Sequence, residues 1–69
     1  MSLEELREQN KEKVVAAALQ CFLRYGIENT KISTIAKTAG LTERSIYRYF
    51  ATKEDLVLAV ALLFWSQTM

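Results

Sequence analysis

The stretch ISTIAKTAGLTERSIYRYF, residues 32–50, decides how this chain is read. Its first half sets Ile32, Ile35, Ala36 and Ala39 at i, i+3, i+4 and i+7, which is one face of a short α-helix. Ala39-Gly40-Leu41 interrupts that pattern, and Thr42 is a good N-cap for a second helix over residues 42–50. On the second helix Ile46 points one way, with Tyr49 and Phe50 to either side. Arg44 and Arg48 straddle the opposite face, flanked by Ser45 and Tyr47. Ala36 sits where the two helices must cross closely, and Gly40 can supply the positive φ of a sharp turn. The pattern is a helix-turn-helix.

Working outward, the 69 residues make one domain at most, and a chain this short buries only about 60% of its unfolded surface. Half the residues are apolar, a quarter are charged, there is no proline and only Gly26 and Gly40 occur. That composition favours helices joined by short turns. With no histidine and one cysteine, a zinc site, a disulfide framework and a histidine-based catalytic triad are excluded by arithmetic. No general base, nucleophile pair or phosphate loop is visible, so the chain does not read as an enzyme, and no cofactor is expected.

The net charge of +1 hides an uneven division. Residues 30–53 carry Lys31, Lys37, Arg44, Arg48 and Lys53 against Glu43 alone, while the flanking stretches are net acidic. A basic patch on a near-neutral chain suggests a polyanionic partner; a solvated face is the bland alternative. The acidic, polar N-terminus does not resemble a signal peptide, so a cytoplasmic location is expected.

Ser2-Leu3-Glu4-Glu5 fits a capping box at the start of a first helix, roughly residues 3–25. Val14, Ala17, Ala18, Cys21, Phe22 and Tyr25 form its apolar stripe, in which Cys21 reads as core. Upstream, only Leu3 and Leu6 are apolar, so the first turns are expected to be exposed. Gly26 follows as a left-handed C-cap. Thr30 is the expected N-cap of the next helix, because Lys31 has no acceptor to offer. Thr52 caps a fourth helix, whose first turn holds Lys53 with Glu54 and Asp55. A cation there opposes the helix dipole; Glu54 and Asp55 can neutralise it, and a phosphate bound where Lys53 and free amides converge would explain it better. Residues 56–65, LVLAVALLFW, are apolar without a break, about half the length needed to span a bilayer. Helices 1–3 can cover only one face, near Leu56, Val60 and Phe64, leaving Leu58, Leu62 and Trp65 for a further helical domain. The division is therefore residues 1–52, an all-α helix-turn-helix domain, and 53–69, the start of a connecting helix.

From about Val14 to Val60 the chain resembles the DNA-binding domain of the TetR (tetracycline-repressor-like) transcriptional regulators. The resemblance rests on an ordered set: Val14-Val15, Ala17-Ala18, Cys21-Phe22 and Gly26 in helix 1, then Ile35-Ala36, Ala39-Gly40-Leu41-Thr42, Ser45-Ile46-Tyr47, Phe50, Lys53-Glu54 and Leu56. It implies a homodimer on double-stranded operator DNA, with each recognition helix in a major groove. It also implies a C-terminal domain that dimerises and binds a small-molecule effector, and repression released by that effector. By position, Thr42, Ser45, Tyr47, Tyr49 and Lys53 are implied to contact the DNA backbone. Glu43, Arg44 and Arg48 fall where the family varies with its operator, and Ser33 lies near DNA from helix 2. The chain departs from the family pattern at Lys31, often threonine or serine, at Arg44, often a small residue, and at Tyr49, often histidine.

The residues themselves allow the same assignment. Two arginines four apart on a helix repel by roughly 0.2–0.5 kcal/mol unless an anion opposes them. Guanidinium forks suit phosphate oxygens and the O6/N7 edge of guanine, and Tyr47 can pack on a sugar or thymine methyl. Glu43 can accept from a cytosine amine or simply favour its own helix dipole. The alternative is a helical protein-docking module that uses the apolar face of helix 4, since fold alone does not fix function.

Overall fold

The computed structural model describes residues 2–67, with side chains described through residue 63. Four helices follow one another: α1 (Leu3–Tyr25), α2 (Ile32–Ala39), α3 (Glu43–Tyr49) and α4 (Lys53–Gln67). The order and type match the sequence reading, and no strand occurs among the described residues.

The local causes of each helix are visible in its ends. Ser2 Oγ accepts from the Glu5 N–H at 3.2 Å, which starts α1. At the other end, the Gly26 N–H donates to the Phe22 carbonyl and Asn29 Nδ2 to the Tyr25 carbonyl. These bonds occupy carbonyls that a helix C-terminus would leave open. Gly26 has φ +86° but ψ 154°, so it is not the left-handed cap expected. The chain leaves α1 extended rather than curling, and this backbone region is essentially restricted to glycine.

Thr30 corrects a second expectation. The cap position of α2 belongs to Lys31, which makes no side-chain capping bond. Thr30 instead turns inward, is 1% exposed, and donates its hydroxyl to the Gly26 carbonyl at 2.7 Å and the Cys21 carbonyl at 3.2 Å. Buried at the end of α1, the hydroxyl serves carbonyls there rather than free amides at the start of α2.

The turn between α2 and α3 has the expected geometry. Gly40 lies in the left-handed region at φ +73°, ψ 29°. The Gly40 N–H donates to the Lys37 carbonyl, and the Leu41 N–H donates to the Ala36 carbonyl at 2.9 Å. This pairing is a Schellman motif, and Leu41 packs against the core as that motif requires. Thr42 then caps α3 by accepting from the Ser45 N–H at 3.1 Å, and Thr52 caps α4 by accepting from the Asp55 N–H.

One core joins the four helices: Val14, Ala17, Ala18, Cys21 and Phe22 of α1, Ile35 and Ala36 of α2, Ile46 and Phe50 around α3, and Leu56 and Val60 of α4. Cys21 is buried, as expected. The Thr38 hydroxyl donates to the Thr34 carbonyl and lies 3.5 Å from the Cys21 sulfur. α4 buries Leu56 and Val60, half-buries Val57 and Ala59, and leaves Leu58 60% exposed. Covering on one face is what the sequence led us to expect; Phe64 and Trp65 lie outside the described side chains. Among the described residues no helix is long and apolar enough to cross a membrane.

Candidate nucleic-acid interface

α3 is held from behind and open in front. Ile46 is fully buried, Phe50 nearly so, and Tyr49 packs against the core. Thr42, Glu43, Arg44, Tyr47 and Arg48 are exposed, and Ser45 is half-buried. The helix therefore cannot rotate about its axis without expelling Ile46, and its arginines and Tyr47 stay directed outward. The Thr42 and Ser45 hydroxyls are 3.0 Å apart at the start of α3, close to its first free amides.

Ser33 is half-buried on the first turn of α2. The structure thus gathers Thr42, Glu43, Arg44, Ser45, Tyr47 and Arg48 on one short helix. Tyr49 sits at the far end of that helix. Lys53 stands apart from this group. Its ammonium donates to the Ile27 carbonyl at 3.0 Å and the Thr30 carbonyl at 3.4 Å. The cation that opposes the α4 dipole thus has two backbone carbonyl acceptors at the connector between α1 and α2.

Two residues escaped the sequence reading. Arg7 and Lys11, on the first turns of α1, line a cleft of about 460 Å³ together with Glu4, Glu8, Arg48 and Tyr49. Lys11 also lies over the Phe50 ring, 5.9 Å from its centroid. Dividing charge by sequence put these cations in a net acidic segment, whereas folding sets them beside the end of α3. Their spacing of four residues placed them on one helix face, but nothing in the sequence said which element that face would meet.

Comparison with known proteins identifies the family. Residues 14–60 match the family described as bacterial regulatory proteins, tetR family. The chain is 36% identical over 50 residues to the HTH-type transcriptional regulator RutR of Escherichia coli (strain K12), covering 72% of this chain and 24% of RutR. It is 35% identical over 49 residues to the HTH-type transcriptional regulator AcrR of Shigella flexneri, covering 71% of this chain and 23% of AcrR. It is also 33% identical over 48 residues to a fatty acid metabolism regulator protein of Bacillus subtilis (strain 168), covering 70% of this chain and 25% of that protein. The matched region thus spans about a quarter of the length of these relatives. No solved structure matches at the same level of significance. The family match spans the helix-turn-helix, its Ala36 and Gly40 turn and the buried face of α3, and with it the chain belongs to the TetR family of transcriptional regulators, of which it carries the DNA-binding domain.

Proposed function

We propose that this domain reads a specific operator by laying α3 in the major groove of double-stranded DNA. The observation that carries the reading is the division of α3: Ile46 is locked in the core while Arg44, Tyr47 and Arg48 face outward together. Arg44 and Arg48 take base edges, with guanine O6/N7 the natural partner of a guanidinium fork. Glu43 accepts from a cytosine amine at the start of the helix. Thr42, Ser45, Tyr47 and Tyr49 meet sugar and phosphate, Ser33 approaches the backbone from α2, and Lys53 reaches a phosphate with the proton its two carbonyl bonds leave over.

In the full-length protein the same reading gives a homodimer that engages two half-sites about one helical turn apart. Its role there is ligand-responsive repression in the cytoplasm, governed by a small-molecule effector bound in a C-terminal domain, with no catalysis. Family membership supports these features, and so does the exposed Leu58 face of α4, which a further helical domain would cover. The protein-docking alternative is not favoured, because the relatives are transcriptional regulators.

Selection of duplexes from a random pool tests the proposal. The expected outcome is an enriched site whose preference at one base pair is lost with Arg44→Ala. A pool that stays unenriched after repeated rounds refutes sequence-specific reading.

A further inference from the structure

We infer that Lys53 is a positioning residue for DNA binding, acting with Thr30 as a clamp on the connector between α1 and α2. The inference rests on the operator-reading function proposed above and adds a role to Lys53 beyond a phosphate contact.

Besides its local bonds, among them Asn29 Nδ2 to the Tyr25 carbonyl, the connector, residues 27–31, is held by Thr30 and Lys53. Lys31 caps α2 without a side-chain bond, and residues 27–29 are exposed. From below, the buried Thr30 hydroxyl ties the connector to the Gly26 and Cys21 carbonyls at the end of α1. From the other side, the Lys53 ammonium ties the Ile27 and Thr30 carbonyls to the first turn of α4. Thr30 is therefore gripped twice, through its hydroxyl and through its carbonyl, by residues 21 and 26 on one side and residue 53 on the other.

The consequence for DNA follows from chain continuity. Residue 31 leads directly into α2, and α3 is joined to α2 by the rigid Gly40 turn. The connector thus adds to the shared core in setting where both helices of the helix-turn-helix stand relative to α1 and α4. An ammonium suits this place because its three donors can diverge to two carbonyls and still leave one outward. A lysine in the first turn of α4 is held by these carbonyls against the opposing dipole.

Thr30 makes the clamp separable from electrostatics. Its hydroxyl is uncharged and 1% exposed, so it cannot release counterions from DNA. A change in DNA affinity on removing it must come through the position of the connector.

The test is a double-mutant cycle of Thr30→Val and Lys53→Met in the full chain, with affinity for a mixed-sequence duplex measured at several salt concentrations. Circular dichroism melts first establish that each variant is folded at the assay temperature. Each single change is expected to weaken binding by roughly tenfold. Thr30→Val is expected to leave the salt slope unchanged, and the double variant to bind little worse than the weaker single one, because both loosen the same connector. Additive effects, or a folded Thr30→Val variant with unchanged affinity, overturn the clamp.

Hydrogen exchange in Lys53→Met supplies a readout without DNA and without a change in the core. Faster exchange of the Thr30 and Ile35 amides, which bond to the Ile27 and Lys31 carbonyls, is expected. Unchanged exchange there overturns the clamp even if Thr30→Val fails to fold. A wild-type chain that binds no duplex refutes the proposed function instead, and the exchange measurement then judges the clamp alone.

Discussion

The two glycines hold positive φ for different reasons, and asparagine should tell them apart. Gly40, at φ +73° and ψ 29°, is in the left-handed helical basin, and a Cβ built on it meets nothing within 4 Å. Gly40→Ala therefore carries only the backbone penalty, about 1–2 kcal/mol for an L-residue in this basin. Lower entropy of the unfolded chain offsets about 0.4–1 kcal/mol of that, leaving a net loss of about 1 kcal/mol. Asparagine tolerates the left-handed basin, so Gly40→Asn should cost only a few tenths. Gly26, at φ +86° and ψ 154°, lies where even asparagine is strained. Its Cβ would sit 3.9 Å from Asn29 Nδ2, an ordinary contact, so again backbone strain dominates. Gly26→Asn and Gly26→Ala should both lose about 2 kcal/mol, within the range of about 1–3 kcal/mol for such positions. At roughly 4–8 °C per kcal/mol for a domain of this size, Gly26→Asn should lower Tm by about 8–16 °C, and Gly40→Asn by no more than about 3 °C. Thermal melts followed by far-ultraviolet circular dichroism make the comparison. Equal shifts for the two asparagine variants would refute the assignment of different backbone regions.

Leu56→Ala, at a fully buried position where α4 meets α1, should destabilise by about 2–5 kcal/mol in denaturant melts. Thr42→Ala removes the cap of α3 and should cost about 1 kcal/mol of stability; it should also weaken DNA binding measured by anisotropy. Arg44→Ala should lose about 1–3 kcal/mol of discrimination at one base pair, while Tyr47→Phe should weaken binding to all duplexes alike. Competition assays with single-base variants of a selected site separate those two patterns.

Much of the fold was legible because its signals are local. The Val14 to Phe22 part of the stripe, the Thr42 and Thr52 caps and the Gly40 turn each depend on residues within one or two helical turns and stand where they were expected, whereas Tyr25, the last residue of the expected stripe, is exposed. The sequence reading fell short where a local rule competed with tertiary demand. Thr30 has the chemistry of an N-cap, yet the end of α1 needed a buried donor and took its hydroxyl. Lys53 looked displaced along its own helix, and its partners are residues 27 and 30, more than twenty positions away. Arg7 and Lys11 were passed over for the same reason, since only packing brings the start of α1 beside Arg48 and Tyr49. The outward face of α3 was legible because a single buried residue, Ile46, fixes the phase of the whole helix.

The central claim is that the exposed cations around α3 meet the phosphates and bases of duplex DNA. Titrating a mixed-sequence duplex with the full chain between about 50 and 200 mM salt tests it most directly, since each neutralised phosphate contributes about −0.9 to the slope of log K against log salt. The account predicts a steep slope that becomes shallower by about one when Lys53, assigned to a phosphate, is replaced by alanine. Absence of binding at the lowest salt, or a slope that Lys53→Ala leaves unchanged, would contradict it.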